Sequence, residues 1–234
     1  MTNAIAELEI ELEKNLEKFK HSQDEHINSI VPDGIVNVIK YLNNDLKILW
    51  VLKEANSPDN CDWDMREALD SYLKTEKGLR YGWANTFTPI VYTTNGILRN
   101  EDWDTMGDFT KDPDIIDCLQ EVAYINIKKI PGGSVANNDI IQKYYDDNKE
   151  ALHEQIKLIN PDVIIFGNTM NFIEKDFFIE TFGDLDENKE NPHLHIYKNN
   201  SRLLLHAYHP NNRVVKHKEY CNSIIEAVKF WKQN

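Results

Sequence analysis

Basic charge is scarce in this chain: of 234 residues, 26 are Lys or Arg against 39 Asp or Glu, a formal charge of −13. That balance excludes a protein that wraps nucleic acid over a broad cationic surface, because neutralising phosphates takes clustered Lys and Arg. Cysteine is scarcer still. Cys61, Cys118 and Cys221 stand far apart and form no CxxC pair, so reduced thiols are expected and neither a disulfide framework nor a four-thiolate cluster. Long apolar runs are also missing, since Ile48 to Leu52 and Val163 to Phe166 fall far short of the ~20 residues of a membrane-spanning helix. The N-terminal stretch carries Glu7, Glu9, Glu11, Glu13 and Glu17 and no apolar run ending in small residues, which argues against a secretory signal. The expectation is a cytoplasmic chain without a membrane partner. No repeat, low-complexity tract or Gly/Ser linker divides it, and 41% hydrophobic with 28% charged residues fits an ordinary globular composition. One domain is expected over residues 1–234, with 1–45 as an N-terminal helical extension.

The charge that is present is unevenly placed. Residues 1–192 hold 37 acidic and 19 basic side chains, whereas 193–234 hold two and seven, a local net charge of +5. That C-terminal segment also carries five of the eight histidines, His193, His195, His206, His209 and His217.

Apolar periodicity predicts alternating strands and helices. A helix from about Ala4 to Phe19 has Ile5, Leu8, Leu12, Leu16 and Phe19 on one stripe. Strands are expected at Lys47–Lys53, Val122–Ile127 and Val163–Phe166, and a hairpin over His193–Ala207 turning at Asn199-Asn200. Helices are expected at Asp64–Lys77, within Thr88–Leu98, across most of Ser134–Ile159, near Met170–Thr181 and over Val214–Trp231. Strands apolar on both faces and separated by helices predict an α/β domain built in three layers, α/β/α, around a central, mainly parallel, four-stranded sheet. Ligands of such sheets bind beyond the carboxyl ends of the strands.

Four polar segments follow directly on apolar runs: Lys53-Glu54-Ala55-Asn56, Asn126-Ile127-Lys128-Lys129 with Pro131-Gly132-Gly133, Gly167-Asn168-Thr169, and Tyr208-His209-Pro210-Asn211. In this order they resemble the uracil-DNA glycosylase superfamily. Lys53 to Asn56 is similar to the Gly-Glu-Ala-Pro-Gly motif of its iron–sulfur subgroup, and Asn126 to Gly132 resembles that subgroup's Asn and Val-Val-Lys stretch before a Pro-rich loop. Gln155 to Thr169 looks like the next helix-to-strand unit, and Tyr208 to Asn211 like the closing Tyr-His-Pro-Ser. The resemblance spans roughly Lys47 to Trp231. Lys53 stands in place of the motif's Gly, Asn56 of its Pro and Asn211 of its Ser, and the cluster cysteines are lacking, so no iron–sulfur cluster or other cofactor is expected.

The resemblance implies a hydrolase that excises a deaminated or damaged base from single-stranded or locally opened DNA. His209 would donate to the base carbonyl as negative charge builds there, and Glu54 or Asn56 would hold or activate the attacking water. Asn126 would read the base edge with one donor and one acceptor, and Phe87 or Trp83, with Trp63 behind them, would stack on a base taken out of the duplex. Lys128, Lys129, Gly132, Gly133, Ser134, Asn211, Arg213 and Lys216 are the expected phosphate or DNA contacts.

Two further readings arise from the residues. Lys53, Asn56 and Asn211, with the acidic body, suit a non-catalytic binder of a nucleotide, nucleoside or protein partner on the same fold. His193, His195 and His206 fall on one face of the expected hairpin, where three imidazoles suit Zn²⁺ in a metal-dependent hydrolase; no metal site is assigned in the leading reading.

Overall fold

A computed structural model describes residues 2–19, 30–57 and 62–233. In chain order the strands are β1 (Gly34–Ile35), β2 (Ile48–Leu52), β3 (Lys74–Thr75), β4 (Gly78–Leu79), β5 (Ala123–Asn126), β6 (Val163–Gly167), β7 (Asp186–Asn188), β8 (Leu194–Lys198) and β9 (Leu203–Ala207). The helices are α1 (Thr2–Leu16), α2 (Val38–Asn43), α3 (Met65–Glu67), α4 (Ala84–Arg99), α5 (Asn138–Ile159), α6 (Lys175–Phe182) and α7 (His217–Gln233). None of the described helices is long and apolar enough to cross a membrane.

The sheet is larger than the four strands expected: seven strands run in the order β1-β5-β2-β6-β9-β8-β7. Its four central strands, β5, β2, β6 and β9, are mutually parallel. Antiparallel strands extend it at both margins, β1 beside β5 and the β8–β7 ribbon beside β9. Every side chain of β2 is buried, as a strand packed on both faces requires. Ile48, Trp50 and Leu52 face the core shared with α4 and α7, whereas Leu49 and Val51 face the core shared with α1 and α5. Helices thus cover both faces of the sheet, and each face buries its own apolar cluster.

Several elements differ from expectation. Residues expected to form only a helical extension also supply β1, which pairs with β5 through Gly34 and Tyr124. Asn15 of α1 reaches the Ala151 carbonyl of α5 at 3.0 Å, so the N-terminal helix is packed on the body. The helix expected over Asp64–Lys77 is cut short, because α3 passes into a π-helical turn at Ala68–Tyr72 and then into the β3–β4 hairpin. The helix expected near Met170–Thr181 divides into a 3-10 turn at Met170–Phe172 and α6. Four residues, not two, link β8 to β9: the Asn199 amide donates to the Arg202 carbonyl, and the Asn199 side chain accepts from the Ser201 and Arg202 amides.

The amino ends of three of the parallel strands are tied together by one residue. Asp162 accepts from the Lys47 amide at 2.8 Å and from Arg202 at 3.1 Å, while its own carbonyl receives the Leu203 amide. These contacts join the starts of β2, β6 and β9, far from the carboxyl ends where a site belongs. Asp162→Ala should therefore lower stability by about 1–3 kcal/mol, the cost of losing a charge-assisted hydrogen bond in a partly buried place. Urea denaturation should show a reduced midpoint with an unchanged slope.

Candidate functional site

Beyond the carboxyl ends of β2 and β5 the backbones stay zipped. The Ile127 amide donates to Leu52, Lys128 to Lys53, Gly132 to Ala55 and Ser57 to Gly132, and Asn56 forms a parallel bridge with Gly132. On the other side of β2, the Asn168 amide donates to the Ala207 carbonyl at 2.8 Å, joining the ends of β6 and β9. Gly167 lies where the two halves meet. A Cβ there would fall 2.2 Å from Leu52 and 3.0 Å from Pro210, so only glycine lets the His209-Pro210 turn settle against the end of β2. The four polar segments singled out in the sequence converge at one end of the sheet.

The side chains around this end sort by face. Asn126 continues the side of β5 occupied by Tyr124, and the Phe87 ring stacks on Tyr124 with centroids 5.7 Å apart. Trp83 packs on Phe87 at 5.3 Å and Trp63 on Trp83 at 5.8 Å. A file of four aromatic rings therefore leads to the residue before the β5 loop. Asn126 itself is 1% exposed, and its Oδ1 has no hydrogen-bond partner. An unpaired buried acceptor is costly, about 1–3 kcal/mol, and it marks the spot where a ligand N–H would be satisfied.

His209 sits on the facing loop. Its Nδ1 accepts the Asn211 amide at 3.1 Å, which leaves the proton of the neutral ring on Nε2. Burial, then the Lys53 ammonium, push its pKa down from 6.5 to about 4. The imidazole is thus a neutral Nε2–H donor at physiological pH. Lys53 is held by Asn138 at 2.8 Å and lies over the Phe172 ring.

Glu54 is built into the floor. Its Oε2 accepts from Lys128 at 2.5 Å, with the two side chains 8% and 10% exposed. Lys128 donates further to the Ile130 carbonyl at 2.8 Å. Gly132 lies directly under the carboxylate, since a Cβ there would be 2.3 Å from Glu54 Cδ.

The expected phosphate contacts need correction at two positions. Lys128 and Lys129 are buried, not offered to solvent. Lys128 is spent on Glu54 and carbonyls, and Lys129 donates to Asp33 at 2.6 Å, to the Asn126 carbonyl at 2.8 Å and to Gln155 at 2.8 Å. Buried ammonium groups with their donors taken cannot meet DNA. Gly133, Ser134, Asn211, Arg213, Lys216 and Asn56 are exposed around the same end, and Asn211 turns its backbone to His209.

The histidine cluster does not assemble. His195 and His206 are cross-strand neighbours with rings 5.9 Å apart, whereas the His193 ring lies against Tyr208. Among the described residues no group of three or more His, Cys, Asp or Glu is arranged to hold a metal ion. Cys118 and Cys221 are buried free thiols, raised in pKa chiefly by burial, and Cys61 lies outside the described residues. A separate cavity of ~440 Å³ opens on the β1 margin, among Glu9, Glu13, Asp64, Arg66, Glu67 and Asp70. It contains none of the strand-end residues.

Sequence reasoning missed Asp33 and Gln155. Asp33, in Pro32-Asp33-Gly34, reads as an ordinary turn residue, and only the fold shows that it lies beneath Asn126. No protein-family model matches the chain, and a comparison with curated proteins finds no match.

A titration of the His209 ring followed by NMR should give a midpoint near 4. With the folded value below the ordinary 6.5, the stability this group contributes is complete above pH 6.5 and lost as pH falls toward 4. Lys53→Met should move the midpoint upward, because the ammonium opposes the imidazolium. A wild-type midpoint near 6.5 would contradict the buried, cation-flanked ring. Gly132→Ala should displace the Glu54 carboxylate from Lys128, seen as a changed Lys128 ammonium signal and as a stability loss of about 3–5 kcal/mol, because the pair it breaks is nearly buried.

Proposed function

We propose that this chain is a uracil-DNA glycosylase-like hydrolase that releases a deaminated or damaged base from single-stranded or locally opened DNA. The observation that carries the reading is that a neutral His209 Nε2–H donor and an unpaired, buried Asn126 acceptor both lie at or beyond the carboxyl ends of strands of one parallel sheet. The order β5-β2-β6-β9 brings the four family-like segments together there and supports the same conclusion.

In the reaction the C1′–N bond breaks and its electron pair leaves with the base. Water delivers hydroxide to C1′, and its remaining proton ends on the base. His209 hydrogen-bonds the base carbonyl oxygen as negative charge gathers on it, a fixed donor that stabilises the transition state more than the ground state. Asn126 Oδ1 accepts a ring N–H of the base, and the half-buried Trp83 receives the extruded ring; Phe87, expected from the sequence to share that role, is buried between Tyr124 and Trp83 and supports the file from within. Glu54 Oε2 is oriented by Lys128, so Oε1 is the atom placed to hold the attacking water. Asn56, Ser134, Asn211, Arg213 and Lys216, all exposed, supply contacts to the strand around the extruded nucleotide.

One observation favours a second reading. Lys128 neutralises the carboxylate expected to activate water, and such a site would also suit a binder of a free nucleotide or nucleoside with no excision.

Oligonucleotides carrying uracil, hypoxanthine or xanthine, single- and double-stranded, should be cleaved at the lesion after alkaline treatment. His209→Ala and Asn126→Ala should each lower kcat/KM by about 10²–10³-fold, the usual loss for one transition-state donor or its equivalent, and Glu54→Gln should lower kcat. No abasic product from any lesion at excess enzyme, together with thermal stabilisation by a mononucleotide and no salt-sensitive DNA binding, would replace excision by the binding reading.

A further inference from the structure

We infer that Asp33 and Lys129 are positioning residues: a buried ion pair that grips the backbone of Asn126 from both sides and so aims its carboxamide. The inference rests on the reading of Asn126 as the ligand-facing acceptor. Both side chains are 0% exposed, with Nζ and Oδ1 2.6 Å apart. Asp33 Oδ2 accepts the Asn126 amide at 2.8 Å, and Lys129 Nζ donates to the Asn126 carbonyl at 2.8 Å. Gln155 of α5 closes the ring, accepting from Lys129 at 2.8 Å and donating to Asp33 Oδ1 at 3.1 Å. The Phe19 ring lies 4.8 Å from the ammonium.

Three features point away from a merely stabilising pair. Burial favours the neutral form of both partners, each opposed by the charge of the other, and an apolar pair of similar volume is often as stable as a buried ion pair. The network satisfies the side chains of Asp33, Lys129 and Gln155 and the backbone of Asn126, and engages neither end of the Asn126 carboxamide, whose Oδ1 is buried without a partner. It also acts where β1 begins: Gly34, its first residue, is the one paired furthest toward the carboxyl end of β5, and the Asp33 carboxylate takes over the hydrogen bond that a longer strand would have made to Asn126. Without the pair, the last residue of β5 would have β2 on one side and nothing on the other.

The test uses the full chain with asparagine labelled in the side-chain amide. In Asp33→Leu/Lys129→Met the Asn126 amide signals should broaden or split while the remaining asparagine signals hold their positions, and its backbone amide should exchange faster. Affinity for a single-stranded oligonucleotide with one deoxyuridine, measured against the thymidine control, should fall at least ten-fold. Asn126→Ala added to that variant should cause little further loss, because both changes remove the same contact. Should the double variant not fold, Asp33→Asn/Lys129→Met, which keeps an acceptor for the Asn126 amide, carries the same measurements. Unchanged Asn126 signals in a folded variant would overturn the inference, and so would altered signals with wild-type affinity. If wild-type protein distinguishes no oligonucleotide while the Asn126 signals respond as expected, the positioning role stands and the base-excision reading falls.

Discussion

The buried pair of Asp33 and Lys129 is the interaction on which the rest of the arrangement turns. Two charges removed from water forfeit several kcal/mol each, and only dense hydrogen bonding makes the loss tolerable. The pair meets that demand by recruiting atoms from three places at once: the turn before β1, the end of β5 and the C-terminal part of α5. The same contacts decide what the N-terminal segment is for. Phe19 lies over the ammonium, Asn15 binds α5, and β1 begins just after Asp33 turns inward. A segment outside the family-like motifs is therefore joined to the motif residue Asn126 through one network.

The central strands were legible in the sequence because burial on both faces leaves no polar position, and Ile48 to Leu52 and Val163 to Phe166 carry none. The place where the polar segments of the candidate site meet was legible for a related reason: polar residues begin where the strands leave the core. What the residues do there was only half legible. Lys128 and Lys129 have the composition of a surface pair, and their burial depends on carboxylates 74 and 96 residues away. No local pattern encodes such partners. Strand β7 escaped because Asp186, Glu187 and Asn188 are all exposed and have no apolar face to declare a period. The hairpin loop was misjudged because Asn199 uses its side chain to close a four-residue turn, whereas Asn-Asn alone suggests a two-residue one. The shift is two residues, an even number, so His195 and His206 still share a face.

The net charge of −13 acquires a location in the fold. Part of the acidic surplus lines the cavity at the β1 margin, where Arg66 is engaged by Glu13 and Asp64. Arg213 and Lys216 are exposed beside the His209 loop. Lys128 and Lys129 being internal, the cationic surface at the strand ends is smaller than composition suggested. At physiological ionic strength, fields beyond ~8 Å are screened, so on the proposed reading contact with DNA is confined to a few phosphates, with a shallow salt dependence and little non-specific affinity.

Lys53 is the departure from the family-like pattern with the largest chemical consequence. Where the motif has a glycine, this chain has an ammonium held by Asn138 and close enough to His209 to help lower its pKa. A cation in that place acts twice on the proposed chemistry. Before the bond breaks it disfavours imidazolium, so His209 arrives as a neutral Nε2–H donor whose Nδ1 still accepts the Asn211 amide. As the base departs with the electron pair, the same ammonium faces developing negative charge in a partly desolvated cleft, where Coulomb attraction is weakly screened. Glu54 is ion-paired with Lys128 but still attracts the Lys53 ammonium, so it offsets part of that field and does not abolish it. On the proposed reading, a lysine where the resembled motif has glycine follows the logic of leaving-group stabilisation: in place of a small residue that would let a ligand approach stands a charge that would act on the ligand once it is there.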